Sequence, residues 1–237
     1  MDLFSLVLAF VAIVILRRFV HSFFPIHIIP EKRAILITGC DTGFGYHLAL
    51  KAKKYGFAVF ACCFSASSDG ASELKSAGCH VLEMDVTKQD MIDAAVASVE
   101  RRLKDDGLLL HGIVNNAGIA VTSGPMEWNS PESVEKTLNV NTMGVVRVTR
   151  AFLPFIRAAK GERVNLTDGV KKGTEDTVTL CVLLLGRVVN VCSMAAHIAG
   201  PKMVPYCMSK TATFVFSNGL RRELKHMGVK VATISPW

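Results

Sequence analysis

The sequence has seven cysteines but no Cys-x-x-Cys pair, and no cysteine and histidine stand at the spacing of metal ligands. This absence argues against a metal site and against a disulfide framework. Several of the cysteines fall in apolar stretches, where a thiol behaves as a small buried hydrophobic group. The cysteines therefore indicate a reducing compartment; they are Cys40, Cys62, Cys63, Cys79, Cys181, Cys192 and Cys207.

A concentrated basic surface is also missing. The formal net charge is +7, but the lysines and arginines are scattered along the helices instead of forming a stripe with aromatic residues. We therefore expect no nucleic-acid partner. The 237 residues are 50% hydrophobic and 20% charged, which argues against disorder and is enough for one sizeable core.

No apolar run reaches the roughly 20 residues that a membrane-spanning helix needs. The first run, residues 3–16, is shorter, but Arg17 and Arg18 follow it and a second apolar stretch, residues 19–30, comes next. Snorkelling arginines could extend the span, and a cleaved signal peptide fits poorly because the basic residues follow the apolar run. We predict a membrane anchor and linker at 1–30 and a catalytic domain at 31–237.

The arginines behind this anchor predict its orientation. By the positive-inside rule they place the catalytic domain on the cytosolic side, and the endoplasmic reticulum is the membrane we favour. A mitochondrial membrane and attachment to one leaflet stay open as alternatives.

Strand-like and helix-like stretches alternate through the rest of the chain. This alternation predicts an α/β fold, a doubly wound parallel sheet with right-handed crossovers. Such sheets bind ligands at the carboxyl ends of their strands. The predicted strands are 33–38, 57–62, 80–84, 109–115, 187–192 and 229–234.

A glycine-rich turn joins the first strand to a helical stretch at 47–55. Its residues are Thr38, Gly39, Cys40, Asp41, Thr42, Gly43, Phe44 and Gly45. Glycines let the backbone approach a pyrophosphate, and the N–H groups at the start of the following helix stabilise its charge. The turn therefore predicts a nucleotide site.

A second constellation lies near the end of the chain. Tyr206 and Lys210 stand four positions apart, so they share one face of a helix, and Ser193 precedes them. A free tyrosine holds its proton to a pKa of about 10, and a neighbouring ammonium favours the phenolate. Tyr206 is thus a candidate general acid or base, with Ser193 placed to hold the reacting oxygen.

These motifs together resemble the short-chain dehydrogenase/reductase family. The glycine turn has that family's spacing, Asn115-Asn116-Ala117-Gly118 is similar to its motif after the fourth strand, and Asn141 matches its helix asparagine. The resemblance covers residues 32–236 with one interruption. The sequences of these motifs are most similar to those of membrane-anchored retinol and 17β-hydroxysteroid dehydrogenases and of 3-hydroxybutyrate dehydrogenases.

The resemblance implies a Rossmann-type sheet in the order 3-2-1-4-5-6 and reversible hydride transfer on a lipophilic alcohol such as a retinoid or steroid. It implies a catalytic set of Asn141, Ser193, Tyr206 and Lys210, with Asn141 supporting a water next to Lys210. Homodimers built through the helices carrying Asn141 and Tyr206 are common in the family. The cofactor residues it implies are Thr38, Gly39, Asp41, Thr42, Gly43, Phe44, Gly45, Asp85, Val86, Asn115, Asn116, Ala117, Gly118, Tyr206 and Lys210.

The choice between NAD and NADP depends on charge at the end of the second strand. That strand runs into Cys63-Phe64-Ser65, where neither a carboxylate nor a basic residue stands, and Asp69 either reaches back or caps a helix. The missing basic residue and the resemblance to retinol dehydrogenases favour NAD, with NADP left open.

The chain departs from the family pattern in two places. An atypical insert at 162–186 includes a strand-like segment, 177–185, which could pair on an edge, compete for the fifth-strand position or aggregate. The sequence stops at Ser235-Pro236-Trp237, before the family's substrate lid and last strand. We therefore expect a sheet without its last strand and impaired turnover, and the alternative to an enzyme is a protein that binds only a cofactor or partner.

Overall fold

One parallel sheet organises the described part of the chain. The computed structural model describes residues 30–159 and 188–236. Within them six strands lie in the order β3-β2-β1-β4-β5-β6, which confirms the predicted order. The strands are β1 (Arg33–Thr38), β2 (Ala58–Cys63), β3 (His80–Glu83), β4 (Leu109–Asn115), β5 (Val188–Val191) and β6 (Val231–Ile234).

All six strands occur where the sequence predicts them, with small differences at their ends. Phe57, Met84 and Val229 were included in predicted strands but lie just outside the observed ones. Each is 3–4% exposed, so the apolar character that suggested a strand reflects burial next to the sheet.

The central strands are buried on both faces. In β1, Ala34 and Leu36 on one face and Ile35 and Ile37 on the other are all at most 3% exposed. Such strands read as continuous apolar runs because helices cover both sides of a parallel sheet. This burial explains why the strands could be located from hydrophobicity alone.

Within residues 30–159 and 188–236, six α-helices accompany the strands. They are α1 (Gly43–Lys54), α2 (Asp69–Ser76), α3 (Gln89–Asp105), α4 (Pro131–Leu138), α5 (Val145–Ala158) and α6 (Val204–Leu224), and a π-helical turn (Asn139–Gly144) joins α4 to α5. The helix predicted at 47–55 starts earlier, at Gly43, because Thr42 takes the N-cap position inside the glycine turn.

Two predicted segments lie outside the described residues: the anchor, apart from Pro30, and the insert at 162–186. Within residues 30–159 and 188–236, no helix has the length and apolar character needed to cross a bilayer.

Candidate active site

The glycine turn and the segment after β4 form one hydrogen-bonded unit. The Thr38 hydroxyl accepts hydrogen bonds from the backbone N–H groups of Asn116 and Ala117, both at 3.0 Å. In return, the Asn116 side-chain amide donates to the carbonyl oxygens of Thr38 and Gly39, both at 2.9 Å. These bonds fix the two predicted motifs side by side at the carboxyl ends of β1 and β4.

Two glycines give the turn a backbone shape that residues with a side chain rarely adopt. Gly39 and Gly43 have φ of +67° and +63°, a conformation that favours glycine. A Cβ at Gly39 would lie 2.8 Å from Ala117 Cα, whereas one at Gly43 would meet nothing within 4 Å. At the start of α1, the Thr42 side chain accepts no cap hydrogen bond, so the first helical N–H groups remain available. This cradle fits the pyrophosphate of a dinucleotide.

The helix α6 carries the predicted proton-transfer pair. Lys210 Nζ donates to the Val191 carbonyl oxygen at 2.9 Å and lies 5.7 Å from the centroid of the Tyr206 ring. Lys210 is only 5% exposed. The backbone of β5 therefore holds the ammonium beside the phenol ring.

Ser193 begins a short 3₁₀ turn directly after β5. Its hydroxyl oxygen accepts a hydrogen bond from the Ala195 N–H at 3.2 Å, which leaves its own proton free to be donated. Because β5 supports both Ser193 and the Lys210 ammonium, the two groups are positioned by one strand.

Asn141 lies in the π-helical turn and is fully buried. Its side chain accepts from the Ile119 N–H and donates to the Ile119 carbonyl oxygen, each at 2.8 Å, and it also donates to the Ser209 hydroxyl at 3.0 Å. The amide therefore fastens the segment after β4 to α6. Its contribution to the site is to position these elements, and π-turns of this kind are frequent at functional sites.

A buried polar ladder continues from this point along α6. The Thr213 hydroxyl donates to the Asn141 carbonyl oxygen at 2.8 Å, and the Ser217 hydroxyl donates to the Thr213 carbonyl oxygen at 2.6 Å. Ser217 accepts from Asn190 at 2.8 Å, and Asn190 accepts from Asn115 at 2.7 Å. Sequence reasoning missed Asn190, although an asparagine inside an apolar strand is a signal for a buried hydrogen-bond network.

One cavity of about 1300 Å³ joins these groups. Most of the predicted residues line it, whereas Thr38, Gly43, Gly45, Asn115 and Asn141 do not. Asn115, for example, is 2% exposed and bonds to Thr149 and Asn190 in the interior. The predicted residues on its surface are Gly39, Asp41, Thr42, Phe44, Asp85, Val86, Asn116, Ala117, Gly118, Ser193, Tyr206 and Lys210.

Residues that the sequence did not identify as site residues also line the cavity. Three of them come from helix α4, namely Glu132, Glu135 and Lys136, and another is Phe64. Among the described residues on the cavity surface, the carboxylates are Asp41, Asp85, Glu132 and Glu135, and the cations are Lys136 and Lys210. No local motif marks α4, because only the folded sheet brings it to this opening.

Burial makes Lys210 sensitive to pH. Desolvation lowers the pKa of its ammonium below the ordinary value of 10.5, and only an ionised Cys192 would act in the opposite direction. Burial likewise raises the pKa of Cys192 to about 11, so that thiol is neutral at working pH.

We expect a Lys210→Met variant to reveal the lowered pKa. Between that pKa and 10.5, the unfolded chain binds a proton that the folded chain has released, so the native protein gains stability with rising pH. Urea unfolding across this interval should show the native free energy of unfolding rising relative to that of Lys210→Met. A constant difference between the two proteins would contradict the burial of a titrating ammonium.

Comparison with known families agrees with this geometry. A sequence model described as "short chain dehydrogenase" matches residues 33–175 and 183–237. The match includes the glycine turn, the segment after β4 and the helix carrying Tyr206.

Two curated relatives illustrate the likeness at the sequence level. Mitochondrial D-beta-hydroxybutyrate dehydrogenase of Bos taurus is 39% identical over 86% of this chain and 54% of its own length. Retinol dehydrogenase 5 of Homo sapiens is 37% identical over 88% of this chain and 57% of its own length. The chain thus spans about half the length of the curated relatives it matches.

A solved structure gives the same result for the fold. The 3-ketoacyl-(acyl-carrier-protein) reductase of Brucella melitensis, determined in complex with NADH, is 25% identical, with a TM-score of 0.69 over 86% of this chain and 75% of its own. NAD⁺-bound xylitol dehydrogenase has a TM-score of 0.69 at 20% identity, over 88% of this chain and 71% of its own, which supports the fold alone.

Proposed function

The chain belongs to the short-chain dehydrogenase family, and from this premise we propose that it is an NAD(P)-dependent oxidoreductase interconverting an alcohol and a carbonyl. We propose a lipophilic substrate of the retinoid or hydroxysteroid class. The observation that carries the proposal is that Ser193, Tyr206 and Lys210 line the same cavity as the glycine cradle.

The cradle would hold the nucleotide part of the cofactor. Its backbone N–H groups at the start of α1 face where a pyrophosphate would bind, while Asp85 and Val86 line the cavity farther along. When bound, the nicotinamide supplies hydride transfer, which no side chain of the protein can perform. Lys210, with one proton engaged by Val191, keeps others for the nicotinamide ribose.

The protein's own part is the control of one proton. In the oxidation direction Tyr206 takes the hydroxyl proton, and the Ser193 hydroxyl holds the substrate oxygen. Lys210 places a positive charge beside the Tyr206 ring and so favours its phenolate form. Asn141 keeps the segment after β4 at a fixed position against α6, where it would support a water that links Lys210 to solvent.

We further propose, on the basis of the sequence, where the protein is located in the cell. Residues 1–30 attach the domain at 31–237 to the endoplasmic reticulum, with the catalytic domain toward the cytosol, and a mitochondrial membrane is the alternative. D-beta-hydroxybutyrate dehydrogenase of Bos taurus is described as mitochondrial. Two copies of the chain would associate through the helices carrying Asn141 and Tyr206.

The test uses the full chain in detergent beside a version lacking residues 162–186. Each is titrated with NADH and NADPH, and then supplied with NAD⁺ and a panel of retinoid and hydroxysteroid alcohols. Alcohol-dependent formation of reduced nicotinamide supports the proposal. Binding without turnover in both versions would instead support the cofactor-binding alternative, and binding only after the deletion would show that the insert prevents the site from forming.

A further inference from the structure

The second strand ends without a charged side chain of its own. β2 stops at Cys63 and runs into Phe64 and Ser65, at the position where dinucleotide folds usually place the residue that reads the adenosine ribose. Asp69 does not compensate, because Ser68 caps α2 by accepting the Ala71 N–H at 3.2 Å and Asp69 is exposed.

A carboxylate nevertheless reaches this position from another part of the chain. Asp41, in the glycine turn, accepts the Phe64 N–H at 2.8 Å on one oxygen and the Ser65 N–H at 3.1 Å on the other. The Ser68 hydroxyl donates to it at 3.4 Å. The turn after β2 is therefore built around the Asp41 carboxylate.

The backbone of Asp41 is held as firmly as its side chain. A Cβ at Gly70 would lie 2.1 Å from the Asp41 carbonyl oxygen, so the first turn of α2 packs directly on this residue. The carboxylate can leave its place only by giving up its hydrogen bonds to Phe64, Ser65 and Ser68.

Asp41 also borders the cavity. Phe44 and Phe64 line the same cavity and are each 69% exposed. Neither lysine of the cavity surface, Lys136 or Lys210, belongs to the glycine turn or to the turn after β2.

We propose that Asp41 is the residue that makes this protein prefer NAD to NADP. Its carboxylate accepts a hydrogen bond from the adenosine 2′-hydroxyl of NAD and repels the 2′-phosphate of NADP. The inference rests on the proposed function, since it requires that the cradle bind a nicotinamide dinucleotide.

The test compares dissociation constants for NADH and NADPH, which share one fluorescent nicotinamide, in the native full chain and in Asp41→Asn. We expect the native protein to bind NADH at least about tenfold more tightly, and the substitution to reduce that ratio by about tenfold. Asparagine keeps one acceptor oxygen for the turn. If Asp41→Asn has a lower melting temperature than the native protein, Asp41→Ser serves as a second variant.

Glu83→Gln is the matched control. Glu83 accepts the Ala66 N–H at 3.0 Å in the same turn but does not line the cavity, so the control removes an equal charge from the same region. Its NADH to NADPH ratio should equal the native one.

Three results would overturn the inference: equal native affinities, a native preference for NADPH, or a ratio that Glu83→Gln changes as much as the Asp41 variants do. A native chain that binds neither nucleotide would instead overturn the proposed function itself.

Discussion

Replacing Tyr206 with phenylalanine should lower kcat for alcohol oxidation by about 100-fold to 10,000-fold, the range over which a positioned general acid or base contributes. The substitution removes only the hydroxyl, so the ring stays beside the Lys210 ammonium, 5.7 Å from its centroid. Dissociation constants for NADH should change by less than about threefold, because the phenol proton takes part in chemistry more than in nucleotide binding.

Tyr55→Phe provides the matched control for this experiment. The sequence has three tyrosines, and Tyr55 lies at the end of α1 with 49% of its surface exposed. The same change at that position should leave both kcat and NADH affinity at native values. If Tyr206→Phe retained native kcat, the proton would have to travel by another route and the proposed mechanism would fail.

The fold could be predicted from the sequence because parallel strands covered by helices on both faces are continuous apolar runs. Residues 34–37 are apolar without alternation, and the structure buries both faces of that strand. The glycine turn could be found for a related reason. Gly39 and Gly43 have positive φ, which side chains rarely adopt, so the backbone geometry itself dictates the residue type.

Contacts between side chains of different strands and turns could not be predicted from the sequence. Asp41 holds the turn at Phe64 and Ser65, and Asn115 meets Asn190, through contacts between residues far apart in the sequence. The sequence therefore has no charged residue at the end of the second strand, although the structure brings the Asp41 carboxylate to this position. Likewise, Asn141 reads as one polar residue of a helix, and only its bonds to Ile119 and Ser209 reveal that it joins two elements.

Substituting Gly45 with alanine should dismantle the nucleotide cradle. A Cβ at this position would lie 2.3 Å from the Gly39 carbonyl oxygen and 2.5 Å from the Asn116 side-chain nitrogen. Those two atoms are hydrogen-bonded to each other at 2.9 Å, so the methyl group would enter that bond from the side. Neither neighbour is the free end of a flexible chain, since one is backbone and the other is held by two carbonyl oxygens.

We expect Gly45→Ala to lower the free energy of unfolding by about 3 kcal/mol, from overpacking and from loss of the Asn116 hydrogen bond. NADH affinity should fall at least about tenfold, because the displaced turn no longer presents its N–H groups to the pyrophosphate. Urea unfolding and fluorescence titration measure the two effects separately.

Gly43→Ala separates crowding from conformational strain. Gly43 has φ of +63°, so alanine there is strained, but its Cβ would meet nothing within 4 Å. Its cost should be about 1–2 kcal/mol, the usual penalty of a left-handed conformation for a residue with a side chain. Suppose Gly45→Ala were as stable as Gly43→Ala and bound NADH with native affinity. The close packing of α1 against Gly39 and Asn116 would then not determine the shape of the cradle. A larger loss at Gly45 would instead show that this contact, more than the freedom of the glycines to adopt positive φ, determines the form of the site.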